Sequence, residues 1–380
     1  MKERIEGLDA LRGIAAFTVF LGHIALTLPS MPILLKLPPL KIFINGHGAV
    51  ILFFILSGFV LTLPFLKGVA ISYQTFIFKR IIRIYPPYII SILTAMLLSN
   101  ILENDGLKGY SEWLDNIWNT DVSGTIFLEH LFLIDDFYTG AFNNVVWSLV
   151  NEARISLIFP FIAFMVIKGN YKQNLFICFI LTAIAELNSI YRWQESVGYL
   201  TSYFDSMHFT SMFIIGSMLA KYKNNLIIFL KEKSILFKCG LLIVAYFGYN
   251  YWYSITKITN SLGFPFGKYY SEYAIAFGTC TFIVFTLSSL TISKIFKKKP
   301  ILFLGKISYS LYLYHLIILF CLIDLLSKSV SIWIIYIIAI VIAIAISSLA
   351  WYFIENPLIR VSHIISRRRN KLISIKRHSV

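Results

Sequence analysis

Apolar runs of about 16 to 24 residues recur along almost the whole chain, separated by short polar or basic links. Each run is close to the roughly 20 residues that an α-helix needs to cross a hydrocarbon core. The pattern predicts about ten such spans, at 11–28, 48–66, a stretch that begins after the prolines of RIYPPY and ends near 102, then 145–167, 174–190, 206–220, 235–253, 272–292, 301–325 and 330–353. The one long polar stretch, 103–144, is rich in Asp, Glu, Asn and Trp, and its segment FLEHLFLIDDF is amphipathic enough to lie at a membrane interface. The fold class expected is all-α: a polytopic membrane helix bundle occupying residues 1–360, followed by a short basic tail, 361–380.

Composition strengthens that picture. The chain has 380 residues, 58% of them hydrophobic and only 14% charged. A soluble protein carries about 25% charged residues, so this chain cannot cover a globular surface with them. A net charge of +15 would suit a nucleic-acid partner, but the Lys and Arg residues fall in short clusters between the apolar runs. With the N-terminus inside, alternation of the spans gathers most of the 34 Lys and Arg residues, including KRIIR, KKK and RRR, on one side. The positive-inside rule then makes both termini cytoplasmic in a multi-pass inner-membrane protein, with the KKK and RRR runs against anionic lipid headgroups. Lys2 and Arg4 before an apolar run resemble a signal peptide; Arg12 interrupts the run and no small-residue cleavage site follows, so an uncleaved first helix is expected. Cys178, Cys239, Cys280 and Cys321 lie scattered in apolar segments without metal or redox spacing, and no metal is expected.

Polar groups inside the apolar runs are the candidates for chemistry, since each is costly to bury in a membrane. In GLDALRGIAAFTVFLGH, residues 7–23, Asp9, Arg12 and His23 share one helical face: the step from Arg12 to His23 is about three turns plus 20°, and that from Asp9 to His23 about 40° short of four turns. Arg12 and His23 are then about 16 Å apart along the axis, enough to line a path through much of the core. His23 is the candidate base, because an imidazole accepts protons near neutral pH.

In FKRIIRIYPPY, residues 78–88, Arg80 and Arg83 are neighbours on one helical face and suit phosphate groups, with topological anchoring as the plainer alternative. The aromatic and proline residues straight after them are expected to break the helix and shape a pocket. In VVWSLVNEARISLIFP, residues 145–160, Glu152 and Arg154 point about 200° apart, so each needs a partner elsewhere. His315, within SYSLYLYH, serves either packing or catalysis. Glu355 and Asn356 precede Pro357, which reads as a helix stop or as a cytoplasmic donor contact. His47 and His130 lie near the outer face, where either can line an acceptor groove, while His208, His363 and His378 carry no signal.

GLDALRGIAAFTVFLGH, HGAVILFFILSGFVLT, KRIIRIYPPY, VVWSLVNE, ISYSLYLYHLIILF and FIENPL, in that order across nearly the whole chain, resemble the acyltransferase-3 family of membrane-bound O-acyltransferases. The resemblance implies an acetyltransferase that takes acetyl-CoA from the cytoplasm and acetylates a hydroxyl of an envelope or exported saccharide. It implies catalytic roles for His23 and Glu152, with Arg12 as partner to His23 at the inner end of the path. Arg80 and Arg83 become the pair that engages the coenzyme A phosphates, Ser57 and Gly58 fit the signature of the second helix, and Asp9, Arg154, His315 and Glu355 stand as secondary candidates. Ile51 departs from the acid many relatives show there, and Arg154 from their usual residues after the glutamate. Some relatives add a soluble esterase-like domain at the C-terminus; none is expected here. The competing class is a transporter or flippase, since a polar stripe through a bundle also serves permeation; a second alternative keeps the fold but uses another acyl donor or a small exported acceptor.

Overall fold

The computed structural model describes residues 6–69, 71–102, 110–115, 118, 124–262, 267–362 and 364–365. Secondary structure among them is helical, with no strand. Ten helices have 16 or more residues: α1 (Glu6–Leu26), α2 (Gly46–Leu66), α3 (Tyr73–Ile101), α4 (Trp147–Lys168), α5 (Tyr171–Tyr191), α6 (Tyr203–Glu232), α7 (Ile235–Asn250), α8 (Glu272–Ser288), α9 (Lys299–Leu326) and α10 (Ile332–Ala350). Short helices, among them Gly124–Leu131, which overlaps the start of FLEHLFLIDDF, fill the links. The RRR run, His363, His378 and most of the basic tail lie outside the described residues.

Among the described residues seven helices are long and apolar enough to cross a membrane: α1, α2, α3, α4 with the turn before it, α5, α9, and α10 with its continuation to Ser362. The chain is thus an integral membrane protein. The remaining three of the ten long helices differ from straight apolar spans, each for its own reason. α7 is apolar but has only 16 residues. α6 has 30 residues, but Asp205 sits in its first turn and Lys221, Lys223 and Lys231 occupy its second half. α8 and the short helix Leu290–Phe296 together make one candidate span, bent by 93° where a single helix over 272–292 was expected. Ser289 makes the bend by starting a new helix: its side chain accepts a hydrogen bond from the Ile292 amide at 3.3 Å.

Three prolines behave differently from the sequence expectation. α3 begins at Tyr73, not after RIYPPY, and runs straight through Pro86 and Pro87. The helix is already anchored by the Ser72 cap, and buried hydroxyls can bind backbone carbonyls that proline leaves without a helical partner. Pro86 and Pro87 withhold amide donors from the carbonyls of Ile82 and Arg83, and Tyr309 donates to the adjacent carbonyl, that of Ile84, at 2.8 Å. Likewise Pro357 does not stop the last helix: a wide π-type turn at Trp351–Glu355 absorbs the ring, and helix continues to 362.

The bundle is held by close helix crossings in place of a water-driven core. A Cβ on Gly58 would lie 2.1 Å from the Phe213 carbonyl oxygen and one on Gly216 2.0 Å from that of Ile55, so α2 and α6 touch backbone to backbone. Gly13 and Gly305 do the same for α1 and α9, at 2.4 Å from the Gly305 nitrogen and the Asp9 oxygen respectively. Small residues permit this approach in apolar surroundings, where dispersion and hydrogen bonds are the attractive terms. Around the two pairs α4, α5 and α8 pack on α6, α7 packs on α8, and α3 and α10 pack on α9.

Candidate active site

Between α1, α2, α3, α4 and α9 lies a cavity of about 80 Å³, and five of the sequence candidates, Arg12, Ser57, Arg80, Arg83 and Glu152, line it together. Spacing alone had put Arg80 and Arg83 on one face of α3, and both reach this cavity. Arg80 is buried: its Nη2 pairs with Glu152 Oε1, and its Nε donates to Ser156 Oγ at 3.0 Å. Ser57 Oγ adds a longer bond to the same Glu152 oxygen at 3.4 Å. Among the described residues no carboxylate comes within ion-pair distance of Arg12 or Arg83. Three guanidinium groups thus meet one carboxylate, and the surplus positive charge makes the cavity an anion site. Tyr309 and Tyr312 close it on the α9 side, Tyr312 hydrogen-bonding Ser148 Oγ at 2.6 Å.

Asp9 does not line this cavity. Arg154 is placed elsewhere altogether: it donates to the carbonyls of Ile134, Thr201 and Ser202 and to Ser206 Oγ, at 2.7 to 3.1 Å, with its guanidinium over the Tyr203 ring. It ties α4 to the loop before α6, a positioning contact that explains why a charge stands one helical half-turn from Glu152. Glu355 is buried at the π-type turn, where Ser310 Oγ reaches it at 3.1 Å.

His23 stands about 16 Å further along α1 than Arg12. Its Nδ1 lies 2.9 Å from Nε2 of the fully buried His315, and its ring stacks on Trp113 with centroids 5.6 Å apart. His315 Nδ1 in turn lies 2.9 Å from the Leu311 carbonyl. A carbonyl only accepts, so His315 carries its proton on Nδ1 and offers a lone pair at Nε2. His23 then donates from Nδ1, which leaves its own lone pair on Nε2, the atom a base or nucleophile needs.

The sequence reading missed a second group at the same end of the bundle. Glu272, in the first turn of α8, holds one imidazole on each oxygen: His47 Nε2 at 2.8 Å and His208 Nε2 at 3.1 Å. A carboxylate opening a 17-residue, otherwise apolar helix is the signal that could have found it. His208 had looked featureless; His47 lines a pocket, whereas His130 is fully buried among Phe137 and Phe142.

Among curated proteins the chain is similar to acyltransferase MdmB of Streptomyces mycarofaciens, 31% identical over 157 residues, 41% of this chain and 38% of that relative. The match therefore spans well under half the length of that protein. No solved structure matches the chain. The family model for the acyltransferase domain matches residues 5–352, and the protein belongs to the acyltransferase-3 family.

Proposed function

We propose that the protein is an inner-membrane O-acetyltransferase that moves the acetyl group of cytoplasmic acetyl-CoA to a hydroxyl of an extracytoplasmic saccharide. The observation that carries the reading is the arginine surplus of the cavity: Arg12, Arg80 and Arg83 against Glu152 alone favour a ligand with several phosphate charges. Both termini are cytoplasmic in this reading, which puts the Arg12 end of α1 on the donor side. The nucleotide end of the donor sits on Arg80 and Arg83, and the thioester arm extends past Arg12 toward His23.

At His23 the lone pair on Nε2 takes the proton of the acceptor hydroxyl, the alkoxide oxygen attacks the acetyl carbonyl, and the carbon–sulfur bond breaks as the ester forms. The proton passes from His23 to the departing thiolate, so free coenzyme A and the acetylated sugar are the products. The same lone pair supports a two-step route in which His23 first carries the acetyl group. Rapid quenching in the presence of labelled acetyl-CoA but no acceptor separates the two routes, since only the second labels the protein.

The test of the function is binding and thiol release with purified protein and acetyl-CoA. Acetyl-CoA should bind, the double variant Arg80→Ala/Arg83→Ala should lose that binding, and His23→Ala should keep binding while losing transfer. A protein that neither binds acetyl-CoA nor releases coenzyme A thiol overturns the acetyl-CoA reading and leaves a transporter or the use of another acyl donor.

A further inference from the structure

At the His23 end of the bundle, outside the arginine cavity, a pocket of about 580 Å³ opens between α2, α5, α6 and α8 and the loops at their ends. That volume falls within the roughly 300–1,000 Å³ of small-molecule sites. Its inner wall holds Glu272, with only 4% of its side chain exposed and an imidazole on each oxygen. His47, which is 18% exposed, donates Nε2–H to Glu272 when neutral and so keeps its lone pair on Nδ1. The imidazole lies beside two indoles, tilted by 32° to Trp252 with centroids 5.0 Å apart and nearly parallel to Trp147 at 6.4 Å. Around the opening, Tyr199 and Tyr253 are 53% and 58% exposed, and Trp252 lines it as well.

The charges around this pocket nearly cancel. Glu272, Asp205 and Glu195 face Lys268 and Arg192. Asp205 is already occupied by hydroxyl donors, Tyr269, Ser196 and Ser202, at 2.5 to 2.7 Å. Arg192 and Glu195 answer each other at 3.5 Å. The site therefore offers little to a phosphate or to a free cation, in contrast to the cavity with three arginines. Exposed aromatic faces beside a fixed carboxylate and imidazole match a neutral ring that is apolar on its faces and carries hydroxyls at its edge.

We infer that this pocket binds a pyranose sugar, with Trp252, Tyr199 and Tyr253 against the ring and Glu272 and His47 accepting its hydroxyls. The inference rests on the reading of the acceptor as a saccharide and gives that acceptor a place. His47 follows Gly46, and Gly46 packs on Gly22, the residue before His23: a Cβ on Gly22 would be 3.2 Å from the Gly46 nitrogen. The floor of the pocket and the proposed catalytic histidine thus flank the same close contact of α1 with the start of α2.

Saturation-transfer NMR on the full chain in nanodiscs tests this, with the methyl glycosides of glucose, galactose, mannose and N-acetylglucosamine as probes and no acyl donor present. At least one glycoside should receive saturation at its ring protons, and Trp252→Ala and His47→Ala should each abolish it, while the Arg80→Ala/Arg83→Ala protein retains it. His47→Asn serves in place of His47→Ala if the latter fails to fold by thermal melt. Absence of transfer to every glycoside in the wild type, or its persistence in Trp252→Ala and the His47 variant, overturns the inference. Because no donor is present, failure of the acetyl-transfer reading leaves this result interpretable.

Discussion

His23 Nδ1 and His315 Nε2 lie 2.9 Å apart, and the bond from His315 Nδ1 to the Leu311 carbonyl fixes the direction of that contact. At Nε2 His315 can only accept, so it holds His23 in the tautomer whose Nε2 is bare. A positioning role of this kind has its own signature. His315→Gln retains a carbonyl oxygen that accepts from His23, whereas His315→Ala does not. The expected outcome is a loss of about 100-fold in kcat for His315→Ala, with donor affinity unchanged, and a loss of about tenfold or less for His315→Gln. Equal losses in the two variants would show that His315 only fills space.

Glu152 competes with any anionic ligand for Arg80, because the two are already paired at the wall of the cavity. Glu152→Gln keeps the shape and removes the charge. Donor affinity should then rise by about three- to tenfold, while Arg83→Ala lowers it by about tenfold, one charge-assisted contact in each direction. Isothermal titration with acetyl-CoA measures both. A fall in affinity for Glu152→Gln would mean that Glu152 organises the arginines more than it opposes the ligand.

What the sequence revealed and what it hid follow from one distinction. Features that depend on a single helix were readable: the apolar periods, the shared face of Arg80 and Arg83, and the need of Glu152 and Arg154 for separate partners. Five motif residues from four helices meet in one cavity because each motif carries its residue on the inward face of its helix. The relationships between helices were not readable. His315 is 292 residues from His23 in sequence, and only the α1–α9 crossing at Gly13 and Gly305 brings them together. Glu272 and His208 drew no attention because a lone acid at a helix start and a lone histidine each have an ordinary explanation. The prolines misled for a physical reason: the rule that proline ends a helix counts one helix by itself, whereas in a packed bundle neighbouring side chains and a local π-type turn, as at Trp351–Glu355, can accommodate the ring and the carbonyls it frees.

The backbone contact at Gly58 predicts a steric outcome that an exposed glycine does not share. Gly58→Ala sets a methyl group 2.1 Å from the Phe213 carbonyl oxygen, with α6 unable to yield without separating from α2. Gly240, on the exposed face of α7, has nothing within 4 Å of its would-be Cβ. Gly58→Ala should destabilise by about 1–3 kcal/mol, and Gly240→Ala should be neutral or stabilise by up to about 1 kcal/mol. Thermal unfolding of the two variants in the same detergent compares them directly, and equal midpoints would remove the close crossing as a source of stability.

His130 gives the fold a built-in sensitivity to acid. It lies in the short helix Gly124–Leu131, fully buried, with Nδ1 donating to the Ile126 carbonyl at 2.8 Å and Nε2 without a partner among the aromatic rings of Phe137 and Phe142. Burial lowers its pKa from 6.5 to about 4, because a second proton would place an unpartnered N–H against apolar carbon. The folded chain prefers the neutral ring, so the stability tied to that preference is complete above the unfolded value of 6.5. It declines as the pH falls toward 4 and levels off below that, by about 3 kcal/mol at most. His130→Gln has no group to protonate there and should flatten the unfolding midpoint between pH 6.5 and 4 relative to the wild type. A wild-type midpoint as flat as that of the variant over this window would show that the ring takes up its proton without leaving the fold.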